Sequence, residues 1–112
     1  MKKFLLLVSV VGLSGGAFAH AEVAGASQLL TKGPVYPAAM LVKNETGHVT
    51  LTADIDKTGH TVNCQIIATT NPGFNESALD YCRRELYRPA ARNGHPVVEH
   101  RHRINVDFSL DK

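Results

Sequence analysis

The sequence has no tryptophan, only two cysteines and few aromatic residues, 6% in all. A chain so poor in aromatics offers no stacking platform for nucleic acid, which makes nucleic acid a poor partner. It also lacks a glycine-rich phosphate loop and an H-E-x-x-H pattern, and neither Ser77 nor Ser109 has a Ser-His-Asp context. Phosphate-loop, zinc-protease and serine-hydrolase chemistry therefore have no footing. Asp54 and Asp56 alternate on what reads as an exposed strand face, a solvated arrangement rather than an acid/base pair. No enzyme and no cofactor are expected. Internal repeats and low-complexity tracts are absent as well.

Long hydrophobic runs are missing too. Residues 4–13 are apolar but stop at Ser14-Gly15-Gly16, whereas a membrane helix needs roughly 18 to 25 such residues. Lys2 and Lys3 precede the run, and Ala17-Phe18-Ala19 or Ala19-His20-Ala21 follows it as a small-x-small site. This order of parts predicts a signal peptide over residues 1–21, cleaved after Ala19 or Ala21, and a periplasmic product without a transmembrane anchor of its own. An uncleaved tether is the alternative. Loss of Lys2 and Lys3 takes the twelve basic residues to ten, equal to the ten acids. What remains is long enough for one domain with one modest core, a size that often needs a covalent staple.

Residues 22–33 are small and polar without periodicity and read as a flexible lead-in, so the domain is placed at residues 34–112. Pro37 opens a short helix over residues 38–43, and Asn44 is a left-handed stop. From His48 the period is two, with Val49, Leu51, Ala53 and Ile55 on one face. Asp56-Lys57-Thr58-Gly59 is turn chemistry, and Val62, Cys64, Ile66 and Ala68 then share a face in a second strand, with Ile67 outward. Asn75 is the expected cap of a helix running to Tyr87, with Phe74 stapled on Leu79 and a stripe of Leu79, Cys82 and Leu86. Pro89 and Asn93-Gly94 break the chain before a last strand, in which Ile104, Val106, Phe108 and Leu110 alternate with Arg103, Asn105, Asp107 and Ser109. The order α-β-β-α-β predicts an α+β fold, a three-stranded antiparallel sheet with two helices packed on one face.

Cys64 and Cys82 each point from their element toward the layer that holds the other, which makes a disulfide geometrically natural; two reduced thiols are the alternative, and the spacing is far from C-x-x-C. Of six histidines, His95, His100 and His102 are the closest set, read as solvated or, alternatively, as a small metal-handling group. Arg83, Arg84, Arg88, Arg92, Arg101 and Arg103 make the C-terminal half basic, either a solvated face or a surface for an acidic partner.

Several pieces together carry a resemblance: Pro34-x-Tyr36-Pro37, Gly47-x-Val49, Asp56-x-x-Gly59, Asn75-Glu76-Ser77-Ala78-Leu79 leading to Tyr87-Arg88-Pro89-Ala90, Gly94-x-Pro96-Val97 and Val106-x-Phe108. Over residues 34–110 the chain resembles the C-terminal domain of TonB proteins. Met40 stands where that family usually has alanine, Asn44 and Asn71 where glycine is common, and Cys64 and Cys82 where aliphatic residues are usual. Resembling sequences sometimes carry the cysteine pair. The resemblance implies capture of the N-terminal Ton-box peptide of a TonB-dependent outer-membrane transporter, or of another envelope protein, by strand addition beside the last strand. It places Arg101, Arg103, Asn105 and Asp107 near the peptide. The competing reading, of another class, is an envelope structural protein that uses the domain for self-association, a homodimer through a swapped or paired edge strand. Residues 22–33 span at most about 40 Å at ~3.3 Å per residue, so the chain alone is not expected to transmit force across a periplasm.

Overall fold

A computed structural model describes residues 23–30 and 32–110. The expected signal peptide, residues 1–21, lies outside the described residues. The elements run β1 (Val23–Ala24), β2 (Ser27–Leu30), α1 (Ala38–Val42), β3 (Gly47–Ile55), β4 (Thr61–Thr69), a single 3-10 turn (Pro72–Phe74), α2 (Asn75–Arg84), β5 (Leu86–Arg88), β6 (Ala91–Arg92), β7 (His95–Pro96) and β8 (Glu99–Phe108). The frame α1-β3-β4-α2-β8 is the expected order. Its sheet is antiparallel, in the order β4-β3-β8.

β3 sits in the middle and supplies the floor of the core. Val49, Leu51, Ala53 and Ile55 are all buried, as the period of two requires of a strand covered on one side. From β8 come Ile104, Val106 and Phe108, and from α2 come Ala78, Tyr81 and Cys82. Met40 is the one buried residue of α1. A Cβ at Gly73 would lie 2.5 Å from its Sδ, so the bare backbone there leaves room for the long side chain. Phe74 is fully buried, stacked on Phe108 at 4.4 Å and edge-on to Tyr36 at 5.4 Å.

The hairpin between β3 and β4 turns on Asp56, whose Oδ1 accepts from the N–H groups of Thr58 and His60 at 2.9 and 3.0 Å. Gly59 follows at φ 91°, and a Cβ there would stand 2.0 Å from the carbonyl oxygen of Tyr87. Only glycine permits both the conformation and the approach. Asn44, at φ 56°, ends α1 in the left-handed conformation, the stop expected of it.

β4 departs from the sequence reading. Its pairing with β3 shifts register twice, at Asn63 and at Ile67. Asn63 adopts φ 58°, and the extra residue at each bulge inverts the alternation beyond it. Directly opposed residues share a face, so Val62 goes with Asp54 and Ala68 with Thr50, on the side away from the helices. Of the four residues assigned inward, Cys64 and Ile66 reach the core; Val62 and Ala68 are exposed.

α2 is shorter than periodicity suggests. It stops at Arg84, where Glu85 turns extended (ψ 148°), and residues 86–88 become β5. The competing force is tertiary pairing: β5 bonds to β2, and the N–H of Tyr87 donates to the Gly59 carbonyl at 2.9 Å. The buried stripe is accordingly Ala78, Tyr81 and Cys82, with Leu79 at its margin and Leu86 outside the helix. Asn75 is the first helical residue rather than the cap; Asn71 caps the preceding turn, its Oδ1 accepting from Gly73 at 3.0 Å. The strand β8 begins at Glu99 and ends at Phe108, leaving Ser109 and Leu110 beyond it.

Cys64 of β4 and Cys82 of α2 form a disulfide, their Cα atoms 6.3 Å apart. Thr61 Oγ1 donates to the Cys82 carbonyl at 2.7 Å and ties the same junction a second time. The lead-in differs most from its reading as a segment without regular structure. Its β1 pairs with β6 and its β2 with β5, both antiparallel.

Candidate functional site

A three-stranded sheet has two edges, and on each the alternate residues turn their N–H and C=O groups away from the neighbouring strand. The edge of β4 is broken by its two bulges. Bulges of this kind blunt an edge against further pairing. The edge of β8 is different. Residues 102–108 pair with β3 in seven consecutive steps without a shift, from Ala53↔His102 to Gly47↔Phe108. At ~3.3 Å per residue this is a straight strip of about 20 Å. It ends where Arg101, at φ 54°, puts a bulge in the strand.

Arg101, Arg103, Asn105 and Asp107, the four residues expected beside a peptide, are all exposed on the face of β8 away from the helices. Asn105 is fixed by Thr50, whose hydroxyl donates to Asn105 Oδ1 at 3.0 Å. Asp107 lies 3.5 Å from His48 Nδ1. Arg103 and Arg101 border a shallow groove with Thr52, Gln65 and Ile67. Three of the four therefore belong to the straight strip, and Arg101 marks its end. Its N–H donates to Asp54 Oδ1 at 3.0 Å, and this bond, with the Asn63 amide, holds the Asp54 carboxyl below the ordinary carboxylate value.

On the helix side, the first half of the strip opens on a groove of about 230 Å3. Residues 102–105 form one wall, residues 26–28 the other, and Tyr81 and Tyr87 the floor. Gln28 Nε2 donates to Tyr81 Oη and to Glu85 Oε1, both at 2.8 Å. Tyr87 is edge-on to the His102 ring, 5.2 Å between centroids. Burial, with Tyr81 and Glu85 close by, pushes the Tyr87 hydroxyl pKa up to about 12. Glu99 links the two walls: Oε1 accepts from the N–H of Ala26 at 2.7 Å, and Oε2 lies 2.9 Å from His102 Nδ1. Sequence reasoning did not single out Gln28, Tyr81 or Glu99. Tyr87 was visible only as part of the Tyr-Arg-Pro-Ala segment.

The Glu99 linkage carries a pH signature. Partial burial works to raise its pKa, but the Ala26 N–H and the His102 ring outweigh it, so the carboxyl sits below the ordinary glutamate value. A depressed folded-state pKa contributes stability that is complete above the unfolded value of ~4.3 and is lost as pH falls through the folded one. The Ala26 amide resonance should show an acid titration with a midpoint below about 4.3. In Glu99→Gln that titration should vanish. A midpoint above the ordinary glutamate value would contradict the linkage.

The three histidines weighed as a metal set have separate partners. His95 Nδ1 is 3.3 Å from the Asn93 carbonyl, His100 is 3.4 Å from Asp54, and His102 is engaged by Glu99. Among the described residues no three histidine, cysteine or acidic side chains converge on a point that would hold a metal ion. Among the same residues no helix is long and apolar enough to cross a membrane.

No curated protein sequence matches the chain. Among solved structures, the C-terminal domain of TonB from Pseudomonas aeruginosa, determined in solution, is 18% identical with a TM-score of 0.66, over 80% of this chain and 90% of that one. The TonB2 protein from Vibrio anguillarum is 22% identical with a TM-score of 0.60, over 98% of this chain and 100% of that one. At such identities the likeness shows a shared fold. The family model described as the Gram-negative bacterial TonB protein C-terminal matches residues 32–110. That span takes in both helices, all three strands of the sheet and the disulfide, and the chain belongs to the TonB C-terminal family.

Proposed function

We propose that this chain is a periplasmic binding module of TonB-dependent transport, one that takes the Ton-box peptide of an outer-membrane transporter as an added strand along β8. The observation that carries this reading is the unbroken, one-sided run of residues 102–108. Main-chain hydrogen bonds from that run supply affinity, and the side chains beside it supply selectivity. Arg103, Asn105 and Asp107 flank the peptide on the open face, and residues 102–105 meet it on the helix side. The module binds and does no chemistry.

Titration of the oxidised protein with synthetic Ton-box heptapeptides, followed by fluorescence anisotropy, should show saturable binding. Asn105→Pro should abolish it, because proline disrupts the pairing of the strip. Methylating the peptide's own amides separates edge pairing from any damage to the protein. A strand added to one edge uses every second amide, so one alternate set of N-methyl groups should eliminate binding and the other should leave it nearly intact. Equal tolerance of both sets would sink the strand-addition reading. Concentration-dependent sedimentation with no peptide binding would instead assign the edge to a second copy of the chain.

A further inference from the structure

Residues 23–30 precede the 32–110 span that the family model matches, yet they are held specifically. The side chain of Gln28 covers Tyr81 Oη and Glu85 Oε1, on residues that are 9% and 3% exposed. The N–H of Ala26 is taken by Glu99, the first residue of β8. Buried polar groups with partners fix one arrangement, because losing a partner leaves the other unsatisfied. The lead-in is thereby placed alongside the start of the straight strip.

What it does there depends on whether it fills the edge or borders it. Its backbone pairs with β5 and β6, whereas β8 pairs with β3 alone. Between residues 26–28 and 102–105 a groove of about 230 Å3 stays open. A segment that blocked the edge would be bonded to it. From this geometry we infer that residues 26–28 are the far wall of the peptide slot, so that a peptide added to β8 lies between that strand and the lead-in. The inference rests on the Ton-box reading above and deepens it. Because the wall side of the slot is lined by Ala26, Ser27, Gln28 and the two tyrosines, the peptide residue entering it is small and polar, and a branched aliphatic residue there meets a mainly polar boundary.

Gln28→Ala and Ala26→Pro test this without altering residues 102–108 or the disulfide. The first removes the staple to Tyr81 and Glu85, and the second removes the N–H given to Glu99. Amide exchange should show residues 23–30 deprotected, with the amides of residues 102–108 that face β3 still protected. Both variants should bind Ton-box heptapeptides about three- to tenfold more weakly, the scale of one or two lost hydrogen-bonded contacts. A peptide series carrying leucine at each position in turn provides a readout that mere loosening would not move. One position should reject leucine in the unaltered protein and accept it in the variants. Unchanged affinity and an unchanged leucine profile would overturn the wall, and tighter binding would overturn it in favour of a lead-in that competes with peptide. If the unaltered protein binds none of the heptapeptides, the Ton-box reading itself falls and takes this inference with it.

Discussion

Phe74→Ala is expected to cost about 3–5 kcal/mol, enough to unfold much of a small domain whose total stability is of order 5–15 kcal/mol. The site cannot collapse to fill the vacated space. Phe74 is fully buried, its ring stacks on Phe108 and meets Tyr36 edge-on, and Gly47 lies so close that a Cβ there would be 2.7 Å from the ring. Tyr36 is edge-on to Phe108 as well, so the three rings form one block. Its loss undermines the last residue of β8 along with the turn that starts α2. Urea unfolding followed by tyrosine fluorescence measures the effect; a loss below about 1 kcal/mol would mean that the neighbouring rings repack.

The second large effect is that of the disulfide. Cys64 and Cys82 are separated by 18 positions, close to the ~15-residue loop for which chain entropy gives roughly 3 kcal/mol. Cys64→Ala with Cys82→Ala should therefore lower Tm by roughly 12–24 °C in a domain of this size. Reduction of the native protein should act in the same direction. It will be slow, since Cys82 is fully buried. A thermal transition that does not move, with both thiols shown free by mass, would refute a stabilising role.

The central strand was readable from the sequence because β3 turns one face to the core, which imposes alternation on Val49, Leu51, Ala53 and Ile55, even though Thr50 on the other face is covered as well. The same alternation sets Arg103, Asn105 and Asp107 together on the open face of β8. It failed in β4, where one inserted residue moves every later side chain to the other face and Asn63 is the sole local hint of a left-handed position. The end of α2 failed for another reason. Residues 85–87 suit a helix locally, but pairing with residues 27–30 prevails. The far wall of the groove was invisible because its contacts are non-local: Ala26 and Glu99 stand 73 positions apart. A short polar segment gives no period from which to predict such a partner.

The placement of the disulfide has a mechanical consequence. It ties β4 to α2, whereas the free edge of β8 lies on the opposite side of β3. Strand hydrogen bonds run perpendicular to the strand, so a peptide tugged along its own length would load the bonds of the β8 strip together, in shear. The tension would pass through β8 and β3 and reach, on the far flank, a covalent link that does not part with them. The covalent link thus secures the flank away from the β8 edge. The flank that would do the holding relies on hydrogen bonds and aromatic packing, so grip and release can be tuned there without disturbing the anchor behind it.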